Sequence, residues 1–335
     1  MTQPMKVFVT GADGMLGSSL VRVLLSRGHE VCALIHPDFS TGTLDGLGIR
    51  KFNGSILNLA ELETFVTGYD AVIHAAASTS TWPSRSEAVR RVNIEGTANI
   101  IEASLKTGIR RFIYVGSGSS VNTAPDAGNR YAFPGAKYRL DYIDSKYCAL
   151  QLVMEAASRR QLPALAVLPT YMIGPYDSLP GSGKMIIALA TGKLKFYTRG
   201  GRNFVASADV AVATANALEK EETGKWYIAG NENLTYREFL SKAAEVVGRP
   251  APKIPVPGWL VKTIGIAGEL AARITGKAPM LSYPMARISC DTHFVQSHEA
   301  VAGLGMPQTP IEEAIKECYE WFENNGYLKT NDYDK

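Results

Sequence analysis

The stretch Lys6-Val7-Phe8-Val9-Thr10-Gly11-Ala12-Asp13-Gly14-Met15-Leu16-Gly17 governs how the rest of the chain is read. Its opening run is apolar and mostly β-branched, which predicts a buried strand over Lys6–Thr10. Three glycines spaced GxxGxxG follow, and the apolar period of Met15–Arg27 then predicts an amphipathic helix. In a strand–turn–helix of this kind, Gly11 permits the tight turn and Gly14 lets the backbone approach a pyrophosphate. Gly17 allows the helix to pack closely on the sheet. Free N–H groups and the dipole at the helix start favour an anion. Gly11, Asp13, Gly14, Met15, Leu16 and Gly17 are therefore expected to cradle a dinucleotide. The bland alternative is a structural turn, which the flanking strand and helix make the weaker reading.

Working outward, strand-like runs alternate with helical patterns. Glu30–Ile35, Ala71–His74, Arg111–Val115 and Ala164–Leu168 read as strands, and Ser86–Thr107 and Tyr142–Gln161 as long helices. Apolar strands separated by helices predict a doubly wound α/β parallel sheet of the Rossmann type. After Pro169 the composition shifts to glycine and proline (GPYDSLPGSGK, RGGRN, GRPAPKIPVPG), with helices expected at Asp209–Lys220 and Thr235–Val247. We expect residues 1–170 to form the cofactor-binding domain and 171–335 mainly a smaller substrate-binding region. Segments near 203–230 should interleave with the sheet.

Composition narrows the function classes. The chain has 335 residues, 46% hydrophobic and 20% charged, with a net charge of +3. No Lys/Arg run exceeds a pair, which argues against a nucleic-acid or membrane binder. Cys32, Cys148, Cys290 and Cys318 lie far apart with no metal-ligand spacing, so no metal is expected and reduced thiols suit a cytoplasmic location. The N-terminus runs straight into a strand with no signal-peptide core. Pro257–Gly276 is apolar but interrupted by Lys262, Glu269 and Arg273, so it is not expected to span a membrane.

The glycine spacing preceded by Thr10 resembles the extended short-chain dehydrogenase/reductase superfamily, the NAD-dependent epimerase/dehydratase family, and most of all its dihydroflavonol 4-reductase-like members. Asp70–Ala77 (DAVIHAAA) resembles the family's strand-four motif, which implies that Ala75, Ala76 and Ala77 lie beside the cofactor. Val92–Asn99 (VNIEGTAN) resembles its helix motif, in which the first Asn, here Asn93, helps hold the active-site backbone. Leu168-Pro169-Thr170 and Gly174-Pro175 match the loop at the nicotinamide end. The resemblance continues through Ala229–Gly230 and Leu234-Thr235 to Glu312–Phe322, nearly the whole chain. A departure is Gly54-Ser55-Ile56, where the family has an Asp on the adenine; Ser55 offers only part of that contact.

Tyr142 and Lys146 stand four residues apart, so both project from one helix face. The resemblance places the catalytic pair on this helix and the catalytic serine after the preceding strand, at Ser117, with Ser119 and Ser120 as neighbours. A phenol titrating near ~10 is a poor base at neutral pH. A lysine ammonium and the positive nicotinamide lower it, letting Tyr142 exchange a proton with substrate while Ser117 donates to the same oxygen. Lys146 would also bind the ribose hydroxyls. A packed tyrosine beside a solvated lysine is the alternative.

At the adenosine end, Ile35 stands where NAD-binding members carry an acid, and His36 where NADP-binding relatives carry an arginine. NADP is the expected cofactor and NAD the second choice; Asp38 would oppose a phosphate if it pointed inward. Three functions compete. A carbonyl reductase is favoured by Gly174–Ile187, Ala286–Gly305 and Ser117–Asn122, with Trp82, Tyr131, Phe133, Tyr138, Tyr171 and Phe204 lining a cleft for an apolar or ring substrate. A nucleotide-sugar epimerase is suggested by Arg202-Asn203-Phe204, similar to an Arg-Asp-Phe whose arginine binds a diphosphate; the usual alternative is a solvated arginine. A non-catalytic NAD(P) sensor is the third. A 4,6-dehydratase is set aside because Ser117-Gly118-Ser119 replaces its Thr-Asp-Glu. Thr79, Ser119, Tyr171, Arg202 and Phe204 are the expected substrate contacts, and the two long helices are expected to pair in a homodimer.

Overall fold

The computed structural model describes residues 3–38, 42–121 and 133–329. Tyr131 of the expected cleft and Asn122 of the Ser117–Asn122 pattern lie outside them. The strands, in chain order, are β1 (Lys6–Thr10), β2 (Glu30–Ile35), β3 (Arg50–Asn53), β4 (Ala71–His74), β5 (Arg111–Val115), β6 (Ala164–Pro169) and β7 (Tyr171–Ile173). They continue with β8 (Phe196–Thr198), β9 (Gly201–Ala206), β10 (Lys225–Ala229), β11 (Glu232–Thr235), β12 (Ile254–Val256) and β13 (Thr292–His293). Helices α1 (Met15–Ser26), α2 (Leu59–Val66), α3 (Glu87–Arg90), α4 (Gly96–Thr107), α5 (Asp141–Arg159) and α6 (Lys184–Ala190) alternate with the early strands. The later ones are α7 (Ser207–Asn216), α8 (Tyr236–Val247), α9 (Gly258–Thr275), α10 (Tyr283–Cys290), α11 (His298–Leu304) and α12 (Ile311–Asn324).

Seven parallel strands form the main sheet in the order β10-β6-β5-β4-β1-β2-β3. The order reverses between β1 and β4, and in such sheets the crevice at the carboxyl ends of those strands receives the ligand. Because helices cover both faces, β4, β5 and β6 are buried throughout. One core layer joins Leu20 and Leu24 of α1 to Val210 of α7. The other joins Ile100 of α4 to Leu150 and Val153 of α5. A smaller core around Phe204, Phe239 and Phe322 lies under a second sheet, β11-β9-β13 with β7 on β9.

Ser86–Thr107 is a helix with a fault in it. Ser86 caps α3 by accepting from Val89 N–H, and a π-helical stretch, Arg91–Glu95, separates α3 from α4. Such π turns concentrate at functional sites. The sequence pattern did not show β3, a polar edge strand, nor α2 behind it. Within 203–230, β9 belongs to the small sheet while β10 pairs with β6 at the edge of the large one. Among the described residues no helix is long and apolar enough to cross a membrane.

Candidate active site

The glycine turn lies against the exit of β4. Gly11 has φ +66°, and a Cβ there would come within 2.6 Å of the Ala76 nitrogen; a Cβ on Gly17 would overlap the Gly11 carbonyl. Thr10 ties the two chains together, its carbonyl accepting from Ala75 N–H at 3.2 Å and its hydroxyl from Ala76 N–H at 3.2 Å. Gly14 is different. The nearest atom to its missing Cβ is the Gly11 carbonyl at 3.6 Å, so the position opens onto free space. No side chain caps α1, which leaves the first N–H groups of a 12-residue helix without a side-chain acceptor. An open glycine in front of an uncapped helix fits a pyrophosphate. Met15 is half-buried, whereas the Leu16 side chain packs in the core, leaving only its backbone toward the turn.

At the adenosine end, Ile35 is buried and His36 half-exposed, its Nδ1 accepting from Asp38 N–H at 3.2 Å. The Asp38 carboxylate is turned outward. Burial pushes the Asp13 carboxyl up, while its own backbone N–H, His36 and Lys51 pull it down. Lys51 was missed in the sequence because β3 was missed: its ammonium bonds Asp45 at 3.2 Å and also acts on Asp13. Ser55 Oγ accepts from Leu57 N–H at 3.2 Å, closing a local turn, and Ile56 packs on Gly96 with its carbonyl accepting from Asn99 Nδ2 at 3.1 Å.

The π turn carries Asn93 inward. Its Oδ1 accepts from Ser78 N–H at 2.7 Å, and its Nδ2 donates to the Ser78 carbonyl at 3.0 Å and to Ser145 Oγ at 2.9 Å. One side chain thus joins the segment after β4, where Ala75–Ala77 lie half-buried and Thr79 exposed, to the turn of α5 between Tyr142 and Lys146. Ser117 and Tyr142 do meet. Burial raises the Tyr142 phenol above its ordinary range, and the Ser117 hydrogen bond and the Arg202 charge oppose the rise. Ser117 Oγ also lies 2.8 Å from Ser119 Oγ; Ser120 is fully buried. Lys146 is turned to the backbone: its Nζ donates to the Val115 carbonyl at 2.9 Å and sits 4.8 Å over the Tyr114 ring, and burial lowers its pKa to about 7. Arg202, from the other side, is a cation whose charge lowers Tyr142.

On the other wall, Arg202 Nε donates to Tyr236 Oη at 2.7 Å and its guanidinium lies 4.9 Å over the Tyr171 ring. Burial alone would lower its pKa, but Tyr236, Tyr171 and Tyr138 raise it overall, and no Asp or Glu among the described residues pairs with it. Tyr138 Oη donates to Asp291 Oδ2 at 2.5 Å, and burial followed by the Arg202 charge drives His293 down to about 4. Thr170, with Pro169 at the end of β6, donates to Asn203 Oδ1 at 2.8 Å and takes its backbone bond to the Ala229 carbonyl. Phe204 corrects an expectation: it has no exposed surface and stacks on Phe239 at 4.0 Å, a core residue rather than a cleft wall.

Comparison with known proteins points the same way. The model of the NAD dependent epimerase/dehydratase family matches residues 7–230. A putative dihydroflavonol 4-reductase from Synechocystis is 33% identical, covering 96% of this chain and 96% of its own. The 2-alkyl-3-oxoalkanoate reductase of Stenotrophomonas maltophilia is 27% identical over 93% of this chain and 98% of its own. Among solved structures, a nucleoside-diphosphate-sugar epimerase from Pseudomonas aeruginosa superposes with a TM-score of 0.80 at 25% identity, covering 97% of this chain and 99% of that one. The chain belongs to the NAD dependent epimerase/dehydratase family and is an NAD(P)-dependent oxidoreductase of the extended short-chain dehydrogenase/reductase type.

Proposed function

We propose that the protein reduces the ketone of an apolar 3-oxo acid with NADPH. The observation that carries this reading is Arg202: a part-buried guanidinium whose neighbours are phenols rather than carboxylates, close enough to act on Tyr142. A cation drawn partly out of water with no carboxylate beside it calls for an anionic ligand group. In a 3-oxo acid the carboxylate stands two bonds from the reacting carbonyl carbon, which suits a cation held beside the proton donor. The S. maltophilia relative is named for a substrate of that class.

When bound, the dinucleotide supplies the hydride. Gly11–Gly17 and the start of α1 would hold its diphosphate, and Ala75–Ala77, Pro169 and Thr170 would border it. Tyr142 Oη gives its proton to the carbonyl oxygen as negative charge develops there, and Ser117 Oγ donates a hydrogen bond to the same atom. Lys146 donates from beneath α5, and Asn93 keeps α5 in register with the strand-four exit. Arg202 orients the acid, with Tyr171 at its side.

A second reading, epimerisation of a nucleotide sugar, is favoured by the P. aeruginosa relative and would give Arg202 a diphosphate. One experiment separates them. Steady NADPH consumption with 3-oxo acids, lost at least a hundredfold in kcat/KM for Arg202→Ala and spared for simple uncharged ketones, supports the reductase; a charged contact of this kind is worth roughly 2–3 kcal/mol or more. Tight UDP-sugar binding that Arg202→Ala abolishes, without net NADPH consumption, would overturn it.

A further inference from the structure

Helix α9 is built like a surface device. Of its 18 residues only Val261, Gly265 and Ala272 are buried. Gly265 allows the approach to α10, since a Cβ there would come within 2.8 Å of the Ala286 Cβ. Outward stand Trp259 (70% exposed), Leu260, Ile264, Ile266, Leu270 (54%) and Ile274 (86%), and Met280 beyond the helix is 99% exposed. At about 100° per residue the six helix side chains share an arc of roughly 160°. The interruptions that exclude a membrane span, Lys262, Glu269 and Arg273, fall together outside that arc. Glu269 is turned to accept Tyr283 N–H at 3.3 Å, whereas Lys262, Arg273 and Lys277 are exposed.

Against the expectation from the chain's overall charge, we infer that α9 lies in the surface of an anionic lipid bilayer, its apolar arc among the acyl chains and its lysine and arginine flank on the headgroups. A wide apolar face, a tryptophan on it, and exposed charges of one sign at its border are what an interfacial helix requires. The charge flank favours a bilayer over a second copy of this chain, which would bring the same cations together. The placement also suits the site. Arg287 on α10 donates to the Lys137 carbonyl at 2.6 Å, and Asp291 just after α10 accepts from Tyr138, which faces Arg202. A bilayer under α9 is one helix away from the substrate wall, whatever reaction that wall serves.

The test is co-sedimentation of the whole protein with vesicles of phosphatidylcholine, alone or with one part in four phosphatidylglycerol. The protein should partition onto the anionic vesicles, and Lys262→Ala/Arg273→Ala should weaken this about twenty-five-fold, near fivefold per basic residue. Leu270→Asp/Ile274→Asp should abolish it while leaving melting temperature and turnover of a water-soluble ketone unchanged, both side chains being exposed. Trp259 emission should shift to the blue on vesicles, a change absent from Trp259→Phe; this reading survives even if the double aspartate variant folds poorly. Failure to sediment with anionic vesicles overturns the proposal. So does a dimer in solution that Leu270→Asp/Ile274→Asp converts to monomer, for then a second copy covers α9.

Discussion

At Tyr142, burial raises the phenol while Ser117 and Arg202 pull it back, so the proton stays on oxygen until a substrate carbonyl needs it. Tyr142→Phe should lower kcat at least a hundredfold, in line with the loss of a positioned acid, while the Kd for NADPH measured by fluorescence titration stays within about twofold. A residual rate above a tenth of wild type would remove Tyr142 from the reaction. That Asn93 meets the α5 turn between Tyr142 and Lys146 was legible, because helix spacing and a local motif carry that placement. Arg202 and Phe204 were not separable. They share a face of β9, yet Arg202 ends under the Tyr236 hydroxyl while Phe204, one step along, is sealed by Phe239. How far α8 extends over that face is a tertiary matter, and no short window of sequence contains it.

Among the elements, β2 and β3 bear on the proposed preference for NADPH. β2 and β3 pair in parallel with Ala33 opposite Lys51, so β3 brings a lysine, whose Nζ bonds Asp45 at 3.2 Å, to the strand beside the one that His36 follows. Neither strand end offers a buried carboxylate for a free ribose diol. NADPH should therefore bind more tightly than NADH, and His36→Ala and Lys51→Ala should each reduce that preference by about tenfold, the worth of one charge-assisted bond. Calorimetric titration with both nucleotides is the check; equal losses for NADH and NADPH would assign these residues to the fold instead. The main strands were legible because burial on both faces makes them apolar. β3 was not, because an edge strand with exposed Arg50, Lys51 and Asn53 has no such pattern.

For the whole molecule, three bases drawn out of water, His74 and Lys146 fully and His293 in part, link stability to pH. His74 lies in the core between Thr10 and Thr97, with its pKa lowered by burial, and then by Lys146, to about 3; His293 is lowered to about 4. The unfolded chain protonates both as pH falls through about 6.5, while the folded chain resists, so stability is full above that point and drains away below it. Lys146 acts on the alkaline side. Folded, it gives up its proton near 7, and unfolded near 10.4, so burying it costs most below pH 7 and the cost fades as pH rises. The melting temperature of the cofactor-free protein should climb from pH 5 to 9. Lys146→Met should stabilise at pH 6 by a few kcal/mol, since each tenfold loss of proton affinity on folding costs about 1.4 kcal/mol, and much less at pH 9.5. Equal effects at the two pH values would exclude Lys146 as the source.

The strand that completes the large sheet is β10, and its place beside β6 has a consequence for how the protein is made. A ribosome finishes β6 at Pro169, but the strand that covers its outer edge begins only at Lys225, after β7, β8, β9 and α7 have emerged. Through that interval the nascent chain carries an open edge that is wholly buried in the finished protein, and open edges recruit other chains. Thr170, at the mouth of the cofactor crevice, likewise waits for the Ala229 carbonyl that holds it. Translation pausing before residue 225 would expose the growing chain to aggregation, and a product cut short there would lack the Ala229 carbonyl that fixes Thr170.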